Sequence, residues 1–359
     1  MIRIRRGIAI EVERARPGVL GILVEIHGAK ERAIAYEDLS GPVEPGDTLV
    51  LNTGAVALGL GTGGIHFVIA VEGGRAADPP EHGGHAMKLR YTPLQHAVMP
   101  VEESHAGALS SFASLGGAPV IAAALHSALA PALIAARTIT PDTRTAYVMT
   151  EGGALPLDFS EAIAGLKGHG LLDATVTCGQ AFGGDLEAVN RFSGIVAAHV
   201  VAEAGVIVVG AGPGNLGTGS PLGFASIDVG ETVNAIAALG GRPIVAPRVS
   251  FADTRERHMG LSHHTITALG VAALVGCEIA LPPLASDRRD LIERQLEDAR
   301  LLDVHRVVDV ELGDAVEAAL RSSPVPLQSM GRSYDDDPDY FRSAAAAGVL
   351  AARAVAFGT

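Results

Sequence analysis

GVIVVGAGPGNLGTGS, from Gly205 to Ser220, has the make-up of a strand that empties into a loop almost without side chains. Val206 to Val209 are apolar β-formers with no polar alternation, which is the mark of a strand covered on both faces. Gly210, Gly212, Gly214, Gly217 and Gly219 follow within a few residues, and such a loop lets backbone N–H groups come close to a ligand. The same pattern, a short apolar run and then a polar or glycine-rich turn, recurs downstream of residue 100. Its runs are Val120 to Leu125, Thr145 to Met149, Ala174 to Thr177, Ile244 to Ala246, Cys277 to Leu281 and Arg306 to Val310. Helical segments alternate with them. One is Ser286 to Leu302, with Ser286 as N-cap and Asp287 and Asp290 in the first turn. This order predicts an α/β domain over residues 101–359, a mostly parallel sheet with helices on both faces in the Rossmann-like three-layer manner.

Upstream, Ile2, Ile4, Ile8, Ile10 and Val12 occupy even positions against Arg3, Arg5, Glu11 and Glu13 at odd ones, the period of a half-buried strand. Val19 to Ile26, Arg32 to Tyr36, Thr48 to Asn52 and His66 to Val71 follow at short spacing. Together they predict a small antiparallel β-barrel over residues 1–100. Gly73 to Gly84 reads as an exposed loop. At the other end, the acidic SYDDDPD stretch reads as a solvated loop. Beyond it an Ala-rich helix runs from Tyr340 to about Phe357, and Ala344 to Gly348, Ala351 and Ala352 allow close approach of a helix from the same chain or a dimer partner.

Composition bounds the function. A net charge of −13 argues against a nucleic-acid partner, since such affinity rests on neutralising phosphates with Lys and Arg. The two cysteines, Cys178 and Cys277, form no CxxC pair and fit a reducing cytoplasm better than a disulfide framework. The most apolar stretch, Ala118 to Ala136, is broken by His126, Ser127 and Pro131, so no membrane span is expected.

Ligands of open parallel sheets bind outside the carboxyl ends of the strands. There the sequence places His126 and Ser127, Glu151, Cys178, Asp185 and Glu187, the glycine loop, and the run Arg248 to Thr265. Within the glycine loop, Gly212, Gly214 and Gly217 make a formal GxGxxG. Pro221 and Gly223 follow at once, however, and a helix starts only near Glu231, so a dinucleotide fingerprint is discounted. The loop reads instead as an anion cradle formed by Gly210, Gly212, Gly214, Asn215, Gly217, Thr218 and Gly219. Asp185 sits where an N-cap belongs; Asp185 or Glu187, and likewise Glu151, is a candidate base or cation ligand. Cys178 reads as a buried thiol.

Asp253, Arg255, Arg257, His258, His263 and His264 form the densest polar run. Ser262 is the predicted N-cap, putting His263 and His264 in a helix's first turn, where the dipole disfavours imidazolium. Asp253, His258 and one of the paired histidines, His264 in particular, are candidate ligands for a divalent metal. Arg248, Arg255 and Arg257 are candidate anion binders. An Arg and His anion site without metal is the competing reading.

At these residues VMTEGGALP, AFGGDLEAVN, GPGNLGTG, PRVSFADTRERH and GLSHHT, with LNTGAVALGLGTGGIHFV upstream, the chain resembles the bacterial family catalogued as domain of unknown function 3866. The resemblance spans nearly the whole chain and implies no activity or catalytic residue. Glu151, where Asp is equally expected, and Cys178 look atypical of it. The functional expectation is an enzyme of hydrolase or transferase type acting on a phosphorylated or anionic small molecule, in a homo-oligomer. The alternative is a non-catalytic protein that senses a nucleotide or metabolite.

Overall fold

The computed structural model describes residues 2–61, 63–74 and 84–358. They fall into two compact units, the first made of residues 2–74 with Tyr91–Gln95 and the second of Gly84–Arg90 with residues 96–358. Most of the expected loop from Gly73 to Gly84 lies outside the described residues.

The first unit is a closed barrel of β1 (Ile4–Arg16), β2 (Val19–Ile26), β3 (Ala29–Tyr36), β4 (Thr48–Asn52) and β5 (Ile65–Val71), in the order β1-β2-β3-β5-β4. Four seams are antiparallel, but β3 runs parallel to β5. This is the strand order of Greek-key barrels of the OB type. The alternation of β1 was misread at its start. Gly7 and Ala9 point inward, while Ile4 and Ile8 are each 51% exposed. A register shift between Ala9 and Glu11 then reverses the phase, so Ile10 and Val12 are half-buried as expected.

The second unit holds an eight-stranded sheet. Its strands are β6 (Pro119–Ala123), β7 (Thr145–Thr150), β8 (Ala174–Cys178), β9 (Leu186–Ala188), β10 (Val206–Ala211), β11 (Arg242–Ala246), β12 (Glu278–Leu281) and β13 (Arg306–Asp309). Their order is β9-β8-β7-β10-β6-β11-β12-β13, and every pairing is parallel. The apolar runs read from sequence are strands buried nearly throughout because helices cover both faces, except the edge strand β13, which exposes Arg306 and Asp309. On one face lie α1 (Leu129–Ile139), α2 (Glu161–Gly168), α6 (Asp314–Arg321) and α7 (Pro338–Phe357). On the other lie α3 (Arg191–Val200), α4 (Asp228–Ala238) and α5 (Ser286–Asp298). The fold is Rossmann-like α/β.

Three local readings are corrected. β9 was not expected, and Asp185 precedes it rather than capping a helix. Asn190 caps α3 instead, its Oδ1 accepting from the Phe192 and Ser193 amides at 2.9 and 3.1 Å. Ser286 is the first residue of α5, and Ala285 holds the cap position without a side-chain bond. Half of the acidic loop is not solvated, since Asp337 and Asp339 are buried beside Arg332 and Arg288.

The small residues of α7 bring it against α1 of the same chain. A Cβ at Gly348 would lie 2.0 Å from the carbonyl oxygen of Ala132, so backbone meets backbone there. Neighbouring β6 and β10 send their chains to opposite faces, β6 to α1 and β10 to α4. Such a divergence opens a crevice at the carboxyl edge of the sheet.

Candidate functional site

A small cleft opens at that divergence, lined by Ala124 after β6, Gly210 and Ala211 of β10, and Ser226, Asp228 and Thr232. In a dinucleotide-binding fold a phosphate would take the helix N-terminus here. Here α4 starts only at Asp228, past Pro221 and Gly223 and a few residues before the Glu231 expected. Its first turn already carries an anion, because the Asp228 carboxylate accepts from Thr150 Oγ1 at 2.6 Å and pairs with Arg191. An intramolecular salt bridge thus stands where a ligand phosphate would otherwise be favoured.

The glycine loop is closed on itself. The Thr218 amide and hydroxyl both donate to Gly223 O at 2.8 Å, the Ser220 amide donates to Thr218 Oγ1, and the Ala225 amide to Leu216 O. Asn215 Nδ2 reaches Ser226 Oγ at 3.4 Å, Gly214 takes a φ of +88°, and Gly219 faces open space. Backbone contact locks the loop's root. The Ala154 amide donates to Pro213 O at 2.7 Å, and a Cβ at Gly153 would stand 2.1 Å from Gly212 O. Gly217 lies against a histidine, for its Cβ position is 3.3 Å from His264 Cε1.

That contact joins the loop to Arg248–Thr265. The β11 strand ends at Ala246, and the short strands Val249–Ser250 and Gly260–Leu261 pair to bring the two ends of the polar run together. Ser262 caps the helix His263–Thr267, as expected, accepting from the His264 amide at 3.3 Å. It also bonds His258 Nδ1 at 2.7 Å, so one hydroxyl both starts the helix and orients the ring across from it. The ring centroids of His258, His263 and His264 lie between 4.3 and 5.0 Å apart. His264 stacks on Phe224 at 4.1 Å, which fixes its plane. Burial, followed by the positive charge of Arg248, lowers His258 to about 3. Burial beside His263 lowers His264 to about 4, and burial beside Arg257 lowers His263. The three imidazoles are neutral at pH 7.

Asp253 belongs to a different group. Its carboxylate, 2% exposed, accepts from Arg255 at 2.9 and 2.8 Å, from Arg248 at 3.1 Å and from Arg332 at 3.4 Å. The Arg255 hydrogen bonds in particular, with the charge of Arg248 added, hold it well below the usual carboxylate range. Arg332 also pairs with Asp337 at 3.1 Å, and Ser250 donates to Asp337 at 2.6 Å. Both carboxylate oxygens of Asp253 are taken by guanidiniums, and His263 stands in the imidazole cluster where the sequence reading had placed Asp253. Arg257 differs from the other arginines. It is exposed, has no ion pair among the described residues, and is near enough to lower both His263 and His264.

The remaining candidates have partners of their own. Asp185 pairs with Lys167 at 2.6 Å and accepts from the Thr175 amide and hydroxyl at 2.8 Å. Burial works to raise its pKa, and these bonds outweigh it. Glu151 accepts from the Gln180 amide at 2.7 Å. Ser127 bonds Ser329 and Tyr340 at 2.9 and 2.6 Å. His126, lowered to about 4 by burial, lies between Tyr147 Oη at 3.2 Å and Ser160 Oγ at 2.7 Å. Cys178 is buried and pushed up to about 12, so it is an inert thiol. Arg332, Asp337 and Phe224 were missed. The alternation of Arg332 with four acidic residues up to Asp339 was the one available signal, and it resembles any solvated loop.

A family model described as protein of unknown function, DUF3866, matches residues 32–348. The chain belongs to that family. No curated protein matched the chain. Among the described residues, no helix is long and apolar enough to cross a membrane.

Proposed function

We propose that the chain is an enzyme of hydrolase or transferase type that acts on a small phosphorylated or otherwise anionic molecule, held between the glycine loop and Arg248–Thr265. The observation that carries this reading is Arg257, an exposed guanidinium with no carboxylate partner among the described residues, beside three neutral imidazoles on a protein of net charge −13. An unpaired cation there attracts an anion, and Arg offers it two parallel N–H donors. A neutral imidazole beside the bound anion is suited to accept a proton from water or from a substrate hydroxyl. Arg248, Arg255 and Arg332 face two carboxylates, Asp253 and Asp337, so the ground beneath the site also keeps a surplus positive charge.

Inorganic phosphate and simple phosphate monoesters should raise the thermal midpoint of the protein, and Arg257→Gln should abolish that rise while leaving the ligand-free midpoint unchanged. An unaltered response in the variant sinks the assignment. One observation favours the non-catalytic, sensing alternative. Asp185, Glu151 and Asp253 are all engaged in hydrogen bonds, which leaves the imidazoles as the remaining candidate bases among the described residues. Recovery of a bound phosphate ester chemically intact after long incubation supports that alternative, and its turnover supports the enzyme.

A further inference from the structure

His263 Nε2 and His264 Nδ1 are buried nitrogens without a hydrogen-bond partner. His264 is 6% exposed and His258 1%. Buried polar atoms are nearly always satisfied, so two orphans on adjacent rings call for a ligand. One nitrogen from each of His258, His263 and His264 lies within 4.8 Å of the other two, the one grouping of three or more metal-ligating side chains at such a spacing among the described residues. We propose that His258, His263 and His264 bind one divalent ion of the zinc class, leaving a fourth coordination position for water or a substrate oxygen. Three imidazoles with one open position are the ligand set of catalytic rather than structural zinc. The nitrogens need only draw in to roughly 3.3 Å, the edge of a tetrahedron with metal–nitrogen bonds of ~2.0 Å.

The surroundings suit the assignment. A metal-bound histidine usually donates its other ring N–H to a fixed acceptor. Ser262 Oγ, at 2.7 Å from His258 Nδ1, is such an acceptor and leaves His258 Nε2 free to ligate. Stacking on Phe224 holds His264 in one plane. With neutral ligands and the arginines nearby, the positive charge of the ion is left uncompensated, which favours hydroxide or an anionic oxygen at the fourth position. Asp253 is excluded as a ligand because Arg248 and Arg255 hold both its oxygens.

This site and the anion binding by Arg257 rest on different observations and fail separately, but imidazoles that hold an ion no longer serve as bases, and water at the fourth position would take that part. Full-length protein, stripped with chelator and titrated with Zn²⁺ or Co²⁺, should bind one equivalent. The cobalt form should show the intense visible absorption of low-coordinate Co²⁺. His263→Gln should lower the zinc affinity by more than about 100-fold, since loss of a ligand's supporting partner alone costs about 10–100-fold. His169→Gln, at an exposed histidine outside the cluster, should change nothing. Failure of the wild type to bind an equivalent, or equal binding by His263→Gln, overturns the proposal. Should His263→Gln not fold, the wild-type cobalt spectrum decides: a weak octahedral spectrum overturns the site and an intense one upholds it. Phosphate protection measured on the stripped protein reads the anion site alone.

Discussion

Asp253→Asn removes the anion shared by three guanidiniums while keeping the side chain's shape. Arg255 has a 39% exposed side chain, so water replaces much of what it loses. Arg332 keeps Asp337 at 3.1 Å. The cost therefore falls on Arg248, which is 4% exposed and has no other carboxylate partner among the described residues. Removing one partner of a buried ion pair costs about 3–5 kcal/mol. Asn retains one acceptor oxygen, which places the expected loss at the lower end, about 3 kcal/mol. The chain has no tryptophan, so unfolding is best followed by far-UV circular dichroism. Urea is the denaturant to use, since guanidinium would screen the charges being measured. Replacing both partners, as Arg248→Met with Asp253→Leu, should recover most of the loss, because the penalty is an uncompensated charge and not a missing contact. A loss below about 1 kcal/mol for Asp253→Asn would refute the reasoning, since Arg248 would then have found another neutralising group. Unchanged stability with loss of phosphate protection would instead make Asp253 part of the binding site.

Two further outcomes follow from the packing. His126 is lowered to about 4 against an ordinary 6.5. The unfolded chain thus takes up its proton first as pH falls. The stability from keeping this ring neutral is present above about pH 6.5 and is lost progressively down to about pH 4, on the order of 3 kcal/mol in all. Urea unfolding at pH 7 and pH 4.5 should therefore show a smaller acid loss for His126→Gln than for the wild type, and parallel losses would rule the mechanism out. Gly348→Ala puts a methyl group 2.0 Å from the Ala132 carbonyl oxygen, and backbone on both sides leaves no easy relief. Despite the better helix propensity of Ala, a net loss of about 2 kcal/mol is expected by urea denaturation, and a stabilised variant would show that α1 and α7 separate readily.

The parallel sheet was legible because most of its strands are covered on both faces, so Val206 to Val209 and the runs like it stay largely apolar, with charges entering only toward the edge, at Glu278, Arg306 and Asp309. Periodicity and capping are local properties, and they also located Ser262 and the terminal helix. The start of β1 was misread because a register shift reverses its phase, and β9 was missed because its three residues are too few to show a pattern. The site was legible as a list of residue types, Arg, Asp and His within Arg248 to Thr265, but not as two groups. Only tertiary structure brings Arg332 and Asp337 from the far end of the chain to claim Asp253. Only the stacking of Phe224 on His264, and the pairing of Val249–Ser250 with Gly260–Leu261, gathers the three imidazoles. Whether a carboxylate meets a guanidinium or a metal depends on which long-range neighbour first neutralises it, and spacing along the chain carries no record of that.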